Sequence, residues 1–302
     1  MAGHESSVKA IFYALLANLG IAISKGLAAF YTGSGSMLAE AIHSTADCAN
    51  QLLLFLGLKR SERPPTAEHP LGYGKVVYFW SFIVAMLLFS MGGMFSIYEG
   101  IHKLTHPEPV RGLWVGIAVL AVSIVFESIS LSGALRQIKI IRQGSSLRQW
   151  LKNTRNAELI VVLGEDTAAL LGLTLALFFI LLTALTGDPF FDSLGSICIG
   201  SVLIAVSLFL IIRLKSLLIG RSASPELQDH LNREIAGHEH INKVFNIITM
   251  QFGPHVVLAA KISIDKNIDV ESACGLINGL EADIKKHFPE VRWCFIEPDM
   301  CD

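Results

Sequence analysis

Polar and ionisable side chains interrupt an apolar stretch near the N-terminal end of the chain at steps of three and four residues. They are Ser36, Glu40, His43, Asp47 and Asn50 or Gln51. Residues at this spacing share one face of an α-helix. An ionised carboxylate that faces lipid costs about 2.5–3.5 kcal/mol or more, so we expect this face to line the interior of a helix bundle or a water-filled path.

His43 and Asp47 offer the strongest chemistry on this face. They lie one helical turn apart and together supply an imidazole nitrogen and a carboxylate oxygen. Zinc accepts nitrogen and oxygen ligands at about 2.0–2.2 Å in a tetrahedral arrangement. The pair therefore predicts a metal site, although a hydrogen bond between the two side chains is the simpler alternative.

Glu165 and Asp166 form a second acidic position, within the run VVLGEDTAALLG. Neighbouring residues of a helix diverge by about 100°, so the two carboxylates cannot face the same direction. Two adjacent acids in an apolar segment indicate a nearby cation. We expect one of them, with Asp166 preferred, to bind the ion while the other pairs with a base or faces water.

Two further charges lie inside apolar segments. Glu127 is a metal ligand, a proton carrier or the partner of a base, and the sequence leaves these three alternatives open. Lys25 lies about six residues, or roughly 9 Å, from the end of its segment. That distance predicts that its ammonium group extends outward to the membrane surface.

Six apolar segments are long enough to hold these residues in a membrane. They run approximately over residues 9–31, 36–58, 77–101, 112–135, 158–186 and 193–214. A hydrocarbon core about 30 Å thick requires roughly 20 helical residues. Together with 52% hydrophobic residues and a mean hydropathy of +0.53, they predict an all-α bundle of six transmembrane helices.

The density of charged residues changes along the chain. Of the first 216 residues 29 are charged, against 21 of the last 86. We therefore expect a transmembrane domain at 1–216 and a cytosolic C-terminal α/β dimerisation domain at 217–302.

The C-terminal part has the signals of a small α/β unit. Ser224 and Pro225 predict the start of a helix, residues 244–251 and 256–264 a hairpin, Asp269 the start of a second helix and residues 293–297 a last strand. A unit of about 85 residues has a modest core, which favours a homodimer.

Basic residues are divided unequally between the two sides of the membrane. Thirteen lysines and arginines of the membrane part fall on the side of the N-terminus, against Lys103 and Arg111 on the other. The asymmetry places both termini in the cytosol. The short N-terminal region without a transit segment favours a bacterial cytoplasmic membrane, and neither part is basic enough to predict a nucleic-acid partner.

These features predict transport rather than catalysis. A histidine and carboxylates must lose protons before a metal binds, so metal and protons compete for the same groups. A site of this kind, open first to one side of the membrane and then to the other, would export a divalent cation in exchange for protons. We expect zinc as the ion, protons and membrane lipid as the other partners, and no cofactor.

The run TGSGSMLAEAIHSTAD, the loop HPLGYGK, the Glu–Asp pair and the α/β tail resemble the cation diffusion facilitator family of zinc transporters, and within it the zinc transporter 9 branch. The resemblance implies a homodimer with one transport site per protomer, between the second and fifth helices. It also implies a ferredoxin-like tail. The family's ligands in these helices fall on His43, Asp47 and Asp166.

The sequence departs from the family pattern at Val162, where a fifth-helix histidine is usual. The fourth ligand would then come from Glu165, Asn50, Gln51, Glu127 or water. A site richer in oxygen is harder, so manganese or iron becomes an alternative to zinc.

The tail departs from the family pattern too, because Lys261, Phe295 and Glu297 occupy the positions of its regulatory metal ligands. A lysine ammonium group repels a dication, so we expect this tail to dimerise without binding metal there.

Two other classes of protein use similar residues. A polytopic membrane metalloenzyme would place them around an open zinc position. The chain has neither an HExxH nor a serine-nucleophile motif, and its polar residues run along a helix instead of converging at one depth. A metal sensor or scaffold that no longer transports is the other alternative, because Val162 cannot bind metal.

Overall fold

The computed structural model describes residues 18–107, 112–142 and 144–301, which divide between two compact units. The first unit contains the chain up to Leu56, then Trp80–Gly144 and Glu158–Leu214. The second contains Gly57–Phe79, Ser145–Ala157 and the chain from Lys215 onward. Two interhelical segments thus belong to the same compact unit as the C-terminal tail.

Long helices make up the first unit. Helix α1 includes residues 18–32 and α2 spans Gly35–Ser61. Helices α3 (Val76–Leu87) and α4 (Phe95–Thr105) continue each other through a π-helical segment, Leu88–Met94. They are followed by α5 (Leu113–Ile141), α7 (Ala157–Thr186) and α8 (Phe190–Ile219).

Four of these helices are long and apolar enough to cross a membrane. They are Val76–Thr105, Leu113–Ile141, Ala157–Thr186 and Phe190–Ile219, each of 29 or 30 residues with mean hydropathy between 1.9 and 2.6. Large apolar side chains such as Trp114, Ile129 and Leu185 remain exposed on them, as expected of surfaces in contact with lipid. The chain is therefore a multi-pass membrane protein. Helix α2 has sufficient length, but its polar residues keep it outside this group.

The helices extend beyond the apolar segments that predict them. The fourth predicted segment ends at residue 135, whereas α5 continues to Ile141, and the sixth begins at residue 193, whereas α8 begins at Phe190. A hydropathy pattern detects only the part that lies in hydrocarbon, so it misses polar helix ends. Hydropathy likewise gives no signal for the short α6 (Leu147–Asn153), which Ser146 caps by accepting a hydrogen bond from the Gln149 amide.

The tail combines two helices with a three-stranded sheet. Helix α9 (Pro225–Ala236) precedes β1 (Ile241–Phe252) and β2 (His255–Ile264), and α10 (Val270–His287) precedes β3 (Val291–Pro298). Strand β1 is antiparallel to β2, which is parallel to β3. The predicted hairpin, both helices and the last strand are confirmed.

Both predicted caps of the tail helices are present. The Ser224 hydroxyl accepts from the Leu227 amide at 3.2 Å, and the Asp269 carboxylate accepts from the Ser272 amide at 2.8 Å. One face of the sheet packs under these helices. Leu231, Leu258, Ile262, Leu280 and Ile284 are all fully buried there.

Within the second unit, the loop before α3 contacts the turn between β1 and β2. Gly74 and Gly253 lie backbone against backbone, and the Tyr78 hydroxyl donates to the Gly253 carbonyl at 3.1 Å. The Lys75 ammonium group lies 5.7 Å from the centre of the Phe252 ring, within the range of a cation–π contact. A side chain on either glycine would separate these two segments.

Arg155 binds a second interhelical segment to the tail. Its guanidinium group donates to the carbonyls of Ser222 at 2.7 Å and Ala223 at 3.1 Å. Burial, and then the neighbouring Arg221, lower the pKa of Arg155 to about 10. The group remains cationic at neutral pH and keeps all its donors.

Gly253→Ala is expected to destabilise the second unit. The residue has φ +65°, which L side chains rarely adopt, and its new Cβ would meet the backbone of Gly74 at 2.5–2.9 Å. The strain and the clash together should cost about 2–3 kcal/mol. Thermal unfolding of the detergent-solubilised protein measures the loss.

Gly275→Ala is the matched control. Gly275 lies in α10 with nothing within 4 Å of a new Cβ, so alanine should raise stability by about 0.5–1 kcal/mol. Equal melting temperatures for the two variants would contradict the contact between Gly74 and Gly253.

Candidate metal transport site

The carboxylate of Asp192, in the first turn of α8, caps the N-terminus of α2. It accepts hydrogen bonds from the hydroxyls of Ser34 and Ser36, both at 2.5 Å, and from the Gly35 amide at 2.6 Å. All of these groups are buried. An anion at a helix N-terminus satisfies free amide groups and the positive end of the helix dipole. The contact therefore fixes where α2 begins.

This cap changes the interpretation of Ser36, which the sequence places on the same polar face as His43. Ser36 supports the helix end and does not extend the row of candidate ligands. Asp192 was missed because it stands at the edge of the predicted sixth segment. Its signal in the sequence is a lone acid directly before an otherwise apolar run.

The prediction that Lys25 reaches the membrane surface is wrong. Lys25 is fully buried, and its ammonium group donates to Glu40 at 3.2 Å and to Ser44 at 2.7 Å. Glu40 is also fully buried. A carboxylate on the facing helix stabilises the charge internally, so the lysine has no need to extend to water.

His43 and Asp47 lie together in the middle of α2, as predicted. The His43 Nε2 and Asp47 Oδ2 atoms are 3.7 Å apart, too far for a hydrogen bond. His43 is fully buried, while the Asp47 side chain is 16% exposed. The two side chains are adjacent but do not form a hydrogen bond with each other.

Unpaired polar atoms continue along this part of α2. Both ring nitrogens of His43, Asp47 Oδ1, Asn50 Oδ1 and Gln51 Oε1 are buried without a hydrogen-bond partner in the described part of the chain. Each such group costs about 1–3 kcal/mol when nothing binds it. Oxygen and imidazole nitrogen atoms are ligands of divalent cations, and they also accept protons. The donor set fits a cation.

Glu127 of α5 lies beside this row. Together with Asp47 and Ser44 it lines a small cavity of about 10 Å³, which Asn18 and Ile21 of α1 complete. A second carboxylate thus faces the same space as Asp47. This position agrees with a ligand or a proton carrier, and no base pairs with Glu127 among the described residues.

The two adjacent acids of α7 face different helices, as their divergence predicts. Glu165 is buried and accepts a hydrogen bond from the Asn50 amide at 2.6 Å, which joins α7 to α2. Asp166 accepts from the Ser130 hydroxyl at 3.1 Å, which joins α7 to α5. In this arrangement Glu165, not Asp166, has the direct contact with α2.

The candidate ligands are not gathered around one point. In the ranges 18–107, 112–142 and 144–301, no three His, Cys, Asp or Glu side chains come close enough to hold a metal ion. Val162 lies one helical turn before Asp166 and supplies no ligand atom. The structure therefore places His43 next to Asp47, Asp47 and Glu127 around the same small cavity, and Asn50 in a hydrogen bond with Glu165.

A sequence profile of the cation efflux transmembrane domain matches residues 11–219. The chain belongs to the cation efflux family. Members of this family are transporters rather than enzymes, which favours transport over the metalloenzyme alternative. The match covers the helices that carry every candidate ligand, from α2 to α7.

Curated relatives in this family match most of this chain but different shares of their own length. It is 38% identical over 251 residues to the mitochondrial proton-coupled zinc antiporter SLC30A9 of Xenopus laevis, which covers 82% of this chain and 45% of that protein. It is 30% identical to metal tolerance protein C4 of Arabidopsis thaliana, across 83% of this chain and 55% of that protein. The chain spans about half the length of these two relatives.

A bacterial relative matches almost end to end. The manganese efflux system protein MneP of Bacillus subtilis (strain 168) is 23% identical over 298 residues, 95% of this chain and 94% of that protein. The similarity to the cation efflux family member SLC30A9 confirms the resemblance to the zinc transporter 9 branch.

Asp192→Ala is expected to destabilise the first unit. It leaves the Gly35 amide and one of the two serine hydroxyls buried without an acceptor, because Ser34 and Ser36 can hydrogen-bond to each other at 3.0 Å. The loss should cost about 2 kcal/mol or more. A lower melting temperature of the solubilised protein checks this.

Asp188→Ala serves as the comparison, because the exposed Asp188 carboxylate accepts one hydrogen bond, from the Phe190 amide. Its loss should cost about 1 kcal/mol. A melting temperature of the Asp192 variant no lower than that of the Asp188 variant would contradict the role of Asp192.

Proposed function

We propose that the protein exports a divalent cation, zinc in preference, from the cytosol in exchange for protons. The observation that carries the proposal is the row of buried, unpaired polar atoms on α2 from His43 to Gln51. Such a row is costly in hydrocarbon unless a cation or protons bind it. The similarity to a proton-coupled zinc antiporter and to a manganese efflux protein supports this class of activity.

His43, Asp47 and Asp166 are the proposed ligands, with the fourth from Glu165, Asn50, Gln51, Glu127 or water. His43 and Asp47 are already adjacent. Asp166 is held toward α5 by Ser130, so binding requires α7 to shift or rotate relative to α2. Alternating access supplies a rearrangement of that kind, because the same site must open in turn to each side of the membrane.

Protons and metal compete for these groups. The imidazole of His43 and the carboxylates of Asp47 and Glu127 bind metal only when deprotonated. Metal that enters from the cytosol displaces protons, and protons that enter from the opposite side displace metal. Glu127 is suited to proton transfer because it faces the cavity beside Asp47 without direct contact with α7 ligands among the described contacts.

The choice of ion depends on the number of nitrogen ligands. One imidazole with several oxygens is compatible with zinc, and also with manganese or iron, because oxygen ligands suit harder ions. The relatives include a zinc antiporter and a manganese efflux protein, and the chain has the higher identity to the zinc antiporter. We therefore place zinc first.

We further propose six spans, with α1 and α2 as the first two, and a division between a membrane domain at 1–216 and a tail at 217–302. The excess of basic residues on one side supports cytosolic termini. We propose a bacterial cytoplasmic membrane, which accords with the similarity to the Bacillus protein. The similarity to the mitochondrial antiporter of Xenopus laevis makes a mitochondrial membrane the alternative.

The tail is the proposed dimerisation domain. The sheet face away from α9 and α10 exposes Ile248 and Phe295, at 62% and 56%, on either side of Ala259. Lys261 lies on the same sheet and forms an ion pair with Asp299 at 2.8 Å. An apolar face beside a fixed ammonium group supports pairing of protomers and disfavours a metal site.

Asp47→Ala should reduce proton-driven zinc uptake into proteoliposomes tenfold or more, because it removes a ligand from the paired site. Zinc, manganese and iron are offered in parallel under an imposed pH gradient. Asp229→Ala, on the exposed surface of α9, is the control and should transport like the unmodified protein.

Flux in the Asp47 variant equal to that of the control would contradict the site. Absence of flux of any of the three ions in folded, unmodified protein would contradict transport and favour a sensor or scaffold, the function that the dispersed ligands would then fit.

Val162→His should increase the preference for zinc over manganese about tenfold, because it adds a nitrogen ligand one turn from Asp166. The ratio of initial uptake rates measures the preference. Val162→Leu fills the same position without a ligand atom and should leave the ratio unchanged. If the histidine and leucine variants have the same ratio, Val162 does not face the site.

A further inference from the structure

Lys25 and Glu40 form a fully buried ion pair one helical turn from the proposed metal ligands. The Lys25 ammonium group donates to Glu40 Oε2 at 3.2 Å and to the Ser44 hydroxyl at 2.7 Å, and both charged side chains have no exposed surface. Glu40 stands three residues before His43, and Ser44 three residues before Asp47. On a helix these are neighbouring positions on one face.

The same contacts place the ammonium group one hydrogen bond away from a residue that lines the cavity. Ser44, which accepts from Lys25, lines the cavity together with Asp47 and Glu127. The charge of Lys25 therefore acts on the space where a dication would bind. In a region of low dielectric constant such a charge acts strongly over several ångströms.

Glu40 keeps one uncommitted oxygen. Its Oε1 atom has no hydrogen-bond partner among the described residues, and it faces the backbone of α7 at Gly172, where a Cβ would lie 2.5 Å from it. The glycine leaves room for the carboxylate between the two helices. Without Lys25, Glu40 would be a free carboxylate with an open coordination position beside His43.

We propose that Lys25 is a tethered cation that sets the charge of the transport cavity. It holds Glu40 out of the ligand set of the metal and lowers the affinity of the cavity for a divalent ion. The inference rests on the proposed function, since it concerns the specificity of the same site. Lys25 acts through charge and through Glu40, so it is a positioning residue and not a ligand.

The alternative is an ion pair that only stabilises the helix packing. A buried pair contributes little net stability compared with an apolar pair of the same shape, and its loss is costly only when one charge remains alone. The two roles predict different directions of change when Lys25 or Glu40 is replaced. Loss of either partner of a purely structural pair impairs the protein in the same direction, whereas loss of a cation and loss of an anion change the affinity for a dication in opposite directions.

The test measures zinc affinity by calorimetry and half-saturating zinc in proteoliposomes for K25M, E40Q and the double variant K25M/E40Q. We expect K25M to bind zinc about tenfold more tightly and E40Q about tenfold more weakly. The double variant restores the net charge and should lie within about threefold of the unmodified protein. The control is the surface pair Lys285 and Glu281 of α10, 3.6 Å apart, whose variants K285M and E281Q should leave both values unchanged.

Shifts of K25M and E40Q in the same direction, or no shift in either, would overturn the inference. If K25M does not yield folded protein, E40Q decides: weaker zinc binding at an unchanged melting temperature supports the tethered cation, and unchanged binding overturns it. Absence of proton-driven flux in the unmodified protein refutes the transport proposal alone, because calorimetry still reports the effect of Lys25 on binding.

Discussion

Buried charge in hydrocarbon is the constraint on which the rest of this structure depends. An ionised group that cannot reach water must find a partner on another helix or bind an ion. Helix α2 has polar groups at several depths, and their partners lie on α1, α7 and α8. Each of these contacts fixes the position of a neighbouring helix. The packing of the bundle is thus specified by compensation of charge as much as by apolar contacts, which in lipid provide little direction.

This constraint separates the polar face of α2 into two parts with different functions. Toward its N-terminal end, Asp192 accepts from Ser34, Gly35 and Ser36, and Lys25 donates to one oxygen of Glu40 and to the Ser44 hydroxyl. From His43 to Gln51 the buried polar atoms remain without partners among the described residues. The hydrogen-bonded groups near the N-terminus of α2 fix the position of the helix, and the unpaired groups after them can bind a mobile cation. A rigid support next to an unsatisfied site is what a transport protein requires, because the site must bind an ion and release it.

The second unit is stabilised mainly by an apolar core and by contacts to backbone carbonyls. Its sheet has a compact core on one face, around Leu258 and Ile262, and an exposed apolar face with Ile248 and Phe295. Gly74 and Arg155, from segments between the membrane helices, and Tyr78, at the start of α3, contact the tail at Gly253 and Ser222. Backbone carbonyls receive most of these hydrogen bonds, so the contact depends on the shape of the turn more than on the identity of its side chains.

The sequence by itself determined the apolar segments, the caps of the tail helices, the hairpin and the adjacency of His43 and Asp47, because each depends on residues close together in the chain. It also predicted that Glu165 and Asp166 face different directions, which follows from helix geometry alone. Only the tertiary structure decided that Lys25 binds Glu40, that Ser36 belongs to the cap formed by Asp192, and that Asn50 contacts Glu165. A buried charge is stabilised by whichever partner the packing of separate helices brings near. The spacing of residues along one helix does not determine that packing.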